Sequence, residues 1–563
     1  MKKGLFYISI IVIVYILAFS INLPDYDLWA RLAVGSIFFQ TGHILKHDIF
    51  SYLPTKSLWI DHEWGTGVVF YFFVNYFDEW GLFILKALIL FAIFLFMIKT
   101  IKLQTGENKA GIFYFIFLGF SLLPGIANLL RSQMFTYLFF SLWIYILEKI
   151  RRENSHGYES PSMSWIKFRN KLRCLIPSAM RDCSTYKFPC TSFLKFESHN
   201  KLIWVLPVTM LLWVNMHGGF VAGIGLVIIY TIGEWLNRNK SFKYIAILAL
   251  LIPVTLLNPY GWKLWNYIID ASFMPRPYIT EWEPIGWNGP FHVVSGFKIH
   301  VHSGFIIFSL LTLIAGIKLY LQKAKPDWTK IIAFIILFYL GIKHQRHTAF
   351  FVLAVPALFY QQYVDLFKPI QTFITSKLTG KYCQKWMTLK YCFGYVVLAI
   401  ILLYISPYLS NRILLNPLYY PVGSFEFIKQ NKISGNLATS FHWGSYALWK
   451  LYPQCNVMID GRYEEVYNNL YDMGMQLSEN KGNPQEILAQ YKADVLVLAK
   501  DKYSPLDVLN FSDWTLVYQD LSSVLLLPKD KIKSAYIYPD DADPVYHREN
   551  LSKNVNLSCK NVF

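Results

Sequence analysis

Apolar runs of up to about 20 residues recur along this chain, and as helices they match the hydrocarbon thickness of a bilayer. The spans fall at roughly 4–22, 81–98, 111–127, 133–148, 201–216, 219–235, 244–257, 303–320, 331–342, 348–364 and 391–408. A soluble domain does not carry such runs in series. With 54% hydrophobic, 18% aromatic and only 16% charged residues, the composition agrees. The expected fold class is an α-helical polytopic membrane protein of about 11 spans. Met1 to Asn22 carries two lysines and then an apolar stretch longer than a signal-peptide core. It lacks a clear small-x-small cleavage site and reads as a retained signal-anchor helix.

The net charge of +17 would suit a nucleic-acid binder, but its distribution argues against one. Segments 1–3, 99–109, 149–201, 237–243, 318–330 and 366–390 are each net positive, and together they exceed the total, so the remainder is net negative. Short basic segments between alternate spans are the positive-inside pattern, and they place these segments in the cytoplasm. Segment 149–201 reads as a cytoplasmic insertion, rich in Lys, Arg and Ser with little periodicity, able to lean on anionic lipid headgroups. The 7 cysteines form no CxxC pair, and most lie in or beside these reducing segments, so disulfides do not organise the fold.

With that orientation, the unusual polar clusters all fall on the outer side. The first outer loop, 23–80, carries Asp25 and Asp27 at one end and Asp61-His62-Glu63-Trp64 further on. Between them Leu28 to Phe39 predicts a short amphipathic helix, followed by a polar loop from Thr41 to Lys56. In an extended chain Asp25 and Asp27 would point the same way. One could then accept a proton while the other orients a nucleophile or binds Mg²⁺ or Mn²⁺. Capping of the following helix is an alternative for Asp27 and explains Asp25 poorly. His62 titrates near neutrality and can shuttle a proton or ligate metal. Asp61 and Glu63 also suit the start of a helix, where they complement its dipole.

Arg131, at the turn after the third span, suits a phosphate that its fork can grip, or snorkels to the interface. His217-Gly218-Gly219 joins two spans with almost no loop; the glycines need only a tight turn, which leaves His217 and Asn215 unexplained. Lys343, His344, Arg346 and His347 crowd an outer turn against the charge rule, and a phosphate headgroup is the simplest compensation. In the outer loop 258–302, Glu281-Trp282-Glu283 can form a sugar platform: an indole for a pyranose face, carboxylates for hydroxyls.

Composition changes after the last span. Strands are expected at 436–440, 456–459, 494–498, 515–518 and 524–527, with helices at 422–431, 443–451, 464–478 and 484–491. This alternation predicts a small C-terminal α/β domain over 409–530, outside by parity. The membrane domain then occupies 1–408, and 531–563 is a polar tail.

Taken together, the chain resembles the GT-C superfamily of integral-membrane glycosyltransferases, and more narrowly a lipopolysaccharide-core glycosyltransferase-like group of bacterial multi-pass proteins. The residues that carry the narrower likeness are Asp25-Tyr26-Asp27-Leu28-Trp29 with Gly35, His62-Glu63-Trp64, and Asn215 with His217-Gly218-Gly219. Trp443-Gly444-Ser445-Tyr446 with Trp449, and Ile459-Asp460-Gly461-Arg462, extend it into the outer domain.

The resemblance implies a hexosyl- or pentosyltransferase of the bacterial inner membrane. It would move a sugar from a polyprenyl-phosphate donor to a glycan, lipid or protein acceptor at the outer face, with inversion. Asp25 or Asp27 would be the base, and Asp61, His62 and Glu63 would share the catalytic face. Arg131, Lys343, Arg346 and His347 would meet the donor phosphate, and His217, Glu281, Trp282 and Glu283 the substrate. A metal is optional in the superfamily, with Asp25 and Asp27 as its ligands where one is used. Two rivals stay open on the sequence: a flippase for a lipid-linked saccharide, and a non-catalytic envelope assembly protein.

Overall fold

The computed structural model describes residues 2–539 apart from 156–200, 378–395 and shorter gaps that include 20–23, 107–110, 128–129, 275–279, 287–290 and much of 404–414. The expected insertion, most of the 391–408 span and most of the polar tail therefore lie outside the described residues.

Helices occupy the expected apolar stretches as far as residue 377. They are α1 (Lys2–Phe19), α2 (Tyr26–Thr41), α3 (Trp64–Thr105), α4 (Ile112–Leu122), α5 (Gln133–Ser155), α6 (Val205–Met216), α7 (Val221–Leu236), α8 (Phe242–Thr255), α9 (Lys263–Phe273), α10 (Ser303–Leu321), α11 (Trp328–Lys343), α12 (Thr348–Leu358) and α13 (Tyr360–Lys377). Among the described residues, three helices are long and apolar enough to cross a membrane: α3, Gly218–Leu236 and α10. The stretch expected as one span at 348–364 is instead two helices bent by 63°. Gly4–Phe19, Ile112–Ile126, Leu202–Met216 and Phe242–Thr255 are apolar but shorter.

The long helix α3 is the centre of the bundle and packs against α1, α2, α5 and α12. It begins well before the expected span at 81–98 and kinks at Asp78, whose φ of 52° lies in the left-handed region. Side chains such as Phe83, Leu90, Phe94 and Met97 are fully buried along it. Its N-terminal half lies against α2 at backbone contact distance. A Cβ on Gly35 would stand 2.2 Å from the Gly67 carbonyl oxygen and 2.6 Å from Tyr71 Cβ. Gly35→Ala should therefore force the two helices apart, at a cost of about 1–3 kcal/mol or more. A thermal unfolding midpoint equal to wild type would show that this approach is not needed.

The C-terminal domain matches its expected elements closely. Its helices are α14 (Val422–Gln430), α15 (Phe441–Leu451), α16 (Tyr463–Val466), α17 (Tyr471–Ser478) and α18 (Pro484–Gln490). The helix expected over 464–478 is thus two. A short hairpin of β1 (Phe291–Val294) and β2 (Phe297–His300) lies apart, in the 258–302 loop. The domain's five strands are β3 (Gly435–Thr439), β4 (Cys455–Val457), β5 (Val495–Ala499), β6 (Trp514–Gln519) and β7 (Ser523–Pro528). They form one mixed sheet in the order β4-β3-β5-β7-β6, with β3 parallel to β4 and β5 and β7 antiparallel to β5 and β6. Strand β5 is buried along its length, as a strand covered on both faces must be.

The loop between α2 and α3 extends this sheet. Ser51 bridges in parallel to Val457 on the β4 edge, with Tyr52 N donating to Val457 O and Val457 N to Phe50 O. An open strand edge is thereby partly covered. Beneath it, Arg462 donates to Asp460 and, at 2.7 Å, to Asp48, while its guanidinium lies over the rings of Phe50 and Trp59. Tyr467 donates to the same Asp460 carboxylate. The Asp460-Gly461-Arg462 motif is thus a buried clamp between the first loop and the outer domain. Helix α2 is gripped from the same side, with Trp29 5.1 Å from Tyr446 between ring centroids.

Candidate functional site

Where the α2 N-terminus, the turns at that end of the bundle and the C-terminal domain meet, they line a partly open cavity of about 430 Å³. Asp25, Asp27, His62, Glu63, Arg131, His217, Glu281, Trp282, Arg346 and His347 all line it. Among the residues singled out from sequence, Asp61, Asn215, Glu283, Lys343 and His344 do not. Asp61 lies one layer behind the wall, and Lys343 and Glu283 sit exposed outside the lining.

The acidic pair is not an extended dipeptide. Helix α2 starts at Tyr26, so Asp27 belongs to its first turn and Asp25 takes the N-cap position without a side-chain capping bond. The capping explanation for Asp27 falls with that. Asp25 pairs instead with Arg131, whose Nη1 is also 2.6 Å from Glu281. Among the described residues no group donates a hydrogen bond to Asp27. Its side chain is exposed and lines the cavity. Burial, and then the charge of Asp25, push its pKa well above the ordinary carboxylate value, against the opposing pull of Arg131 and Arg31. One acid is spoken for and the other is left as a basic carboxylate facing the cavity. Gly461 lies opposite, and a Cβ there would stand 2.8 Å from Asp27 Oδ1.

A second cluster forms the adjacent wall. Buried Arg31 pairs with Asp61 and lies 3.7 Å from Glu63 and 3.5 Å from Glu465. Asp61 also accepts from the Glu63 backbone N–H, so its work is to fix this corner. His62 Nδ1 is 3.0 Å from Glu465 Oε1 and its Nε2 3.5 Å from Glu63 Oε1. The first contact is close for an ion pair but poorly aligned as a hydrogen bond. Burial works against charge on His62, and Glu465 with Glu63 outweighs it, lifting the pKa to about 9. His217 differs: burial dominates and lowers it to about 4, so it is neutral. Its Nδ1 accepts from the Gly219 N–H at 2.9 Å, which leaves Nε2 to carry the proton, 3.4 Å from Glu63. Glu63 therefore sits between one charged and one neutral imidazole. Asn215 accepts from Trp64 Nε1 at 3.0 Å and ties the α6 end to the α3 start.

Because the folded pKa of His62 is raised from 6.5 to about 9, its contribution to stability is complete below 6.5 and is lost as pH climbs through about 9. His62→Gln should remove a pH-dependent increment of up to about 3 kcal/mol from that window. Parallel unfolding curves for wild type and variant between pH 6 and 10 (a range of about four units that brackets the transition) would contradict this.

Glu465 and Arg31 were not singled out from sequence. Arg31 reads there as one polar residue of an amphipathic helix. Glu465 is distant in the chain and reaches the site only through the fold; the neighbouring Asp460-Gly461-Arg462 was its nearest signal. The donor set does not suit a resident Mg²⁺ or Mn²⁺ as it stands. Asp25 is paired with Arg131, and among the described residues no group of three His, Cys, Asp or Glu side chains could hold a metal ion.

Comparison with known proteins gives a fold. No family model and no curated protein matches the sequence. Solved structures do: the oligosaccharyltransferase AglB from Archaeoglobus fulgidus, with an inhibitory peptide and a dolichol-phosphate, superposes with a TM-score of 0.56 at 10% identity over 89% of this chain and 70% of that one. Its apo form gives 0.55 at 10% identity over 88% and 69%. ArnT from Cupriavidus metallidurans bound to undecaprenyl phosphate gives 0.48 at 12% identity over 93% and 97%. The chain has the fold of the GT-C membrane glycosyltransferases.

Proposed function

We propose that this protein is a membrane glycosyltransferase that takes a sugar from a polyprenyl-phosphate donor at the outer face of the bacterial inner membrane. The carrying observation is the cavity itself. It sets one carboxylate of raised pKa that no side chain neutralises by pairing, Asp27, in the same cavity as two guanidiniums, Arg131 and Arg346. The GT-C fold supports the same reading.

In this mechanism Asp27 accepts the proton of an acceptor hydroxyl as its oxygen attacks the anomeric carbon. The bond from that carbon to the phosphate oxygen breaks, and the electron pair leaves with the lipid phosphate. A single displacement inverts the anomeric centre. Arg131 and Arg346 meet the charge that develops on the phosphate. Asp25 holds Arg131 in place rather than acting as a second base. The acceptor is a glycan, a lipid or a protein. Trp282 offers a sugar less than the sequence reading gave it, because Arg346 lies 4.5 Å from its ring centroid.

The test is to incubate the purified protein in liposomes with a panel of polyprenyl-phosphate sugars and follow release of the lipid phosphate. Release with acceptor labelling is expected for one donor class. Donor that crosses the bilayer intact, with no bond broken for any sugar, would make the protein a flippase.

A further inference from the structure

Glu281 binds two guanidiniums at once. Its Oε2 is 2.6 Å from Arg131 Nη1 and its Oε1 3.3 Å from Arg346 Nη1. A guanidinium fork recognises carboxylate and phosphate oxygens with the same geometry, so a cleft that fits one fits the other. Asp25 is the second partner of Arg131, so the two arginines and two acids are electrically balanced. A phosphate added to that set would leave uncompensated negative charge in a poorly solvated space.

The surroundings show which part can give way. The backbone beside Glu281 is pinned to the turn between α11 and α12. Gln345 N donates to Glu283 O at 3.0 Å, and Ile285 N to Ile342 O at 3.2 Å. The Glu281 side chain, by contrast, is 28% exposed and lines the cavity. It can swing out while its backbone stays fixed. Protonation cannot clear the cleft instead: although burial opposes its charge, the two arginines hold the Glu281 pKa down to about 2.

We propose that Glu281 is a built-in stand-in for the donor phosphate, filling the Arg131–Arg346 cleft until the phosphate of a lipid-linked donor displaces it. This rests on the reading of the cavity as a donor site. As a tethered competitor, Glu281 lowers the fraction of protein able to bind an anion and raises the apparent dissociation constant by that fraction. Weak free anions are thereby kept off the arginines, and a donor that also gains from its lipid tail prevails.

The experiment measures binding of a short-chain polyprenyl phosphate, and separately of inorganic pyrophosphate, to the full-length protein in nanodiscs. Glu281→Gln keeps the shape and removes the charge, and should tighten polyprenyl phosphate binding about tenfold. Glu281→Asp keeps the charge and should stay within about threefold of wild type. Arg346→Ala should weaken it by about tenfold or more. Equal tightening of pyrophosphate would support the stand-in and assign the selectivity to the lipid tail. Unchanged or weaker polyprenyl phosphate binding by a folded Glu281→Gln protein, with Arg346→Ala still weakened, overturns the stand-in alone. Binding that ignores Arg346→Ala overturns the donor site and the stand-in together.

Discussion

Asp27→Asn is expected to lower sugar transfer by roughly 10²–10⁴-fold while leaving the thermal midpoint nearly unchanged. Asparagine has the size of aspartate, and among the described residues no donor hydrogen-bonds to Asp27, so the fold loses little. What it loses is the ability to take a proton. The raised pKa gives a second signature. Only the ionised form is a base, so kcat/KM should fall on the acid side through a pKa above that of an ordinary carboxylate, because burial and Asp25 hold the proton on. Asp25→Asn should behave differently, acting on donor affinity through the Arg131 it holds. Full activity in a folded Asp27→Asn protein would remove Asp27 as the base and turn attention to Glu63.

Arg462→Met should have the largest effect on stability, about 3–5 kcal/mol. Arg462, Asp48 and Asp460 have almost no exposed side-chain surface, and removing the cation leaves two carboxylates buried without it. Because Asp48 belongs to the first loop and Asp460 to the outer domain, the loss should part the two and open the cavity wall that carries Glu465. Limited proteolysis should then cut the first loop in the variant under conditions where wild type survives. A loss under about 1 kcal/mol, the worth of a surface pair, would mean that this clamp does not hold the domain.

Local pattern made much of this molecule legible. Each expected outer-domain strand appears within a residue or two, because short β-branched and aliphatic runs between turn residues leave few alternatives. Apolar length found the helices of the bundle but not the bend in the 348–364 stretch, since periodicity reports burial and not axis direction. In the site, most of the residues picked out by their chemistry line the cavity. Lys343 and Glu283 stay outside it, because spacing along the chain does not say which side chains of a turn face inward. Residue chemistry also took Asp25 and Asp27 as equals; the difference comes from Arg131, supplied by another part of the chain. Arg31 and Glu465 were missed for the same reason, as buried ion pairs between distant segments leave no periodicity to read.

The most direct test of the central claim is a cryo-EM structure of the full-length protein in nanodiscs with a bound polyprenyl phosphate. The account predicts phosphate density in the cavity between Arg131 and Arg346, with the carboxylate of Asp27 across the open space from it and the Glu281 side chain withdrawn. Phosphate density well resolved elsewhere on the bundle, with Arg131 and Arg346 still closed on Glu281, would contradict it.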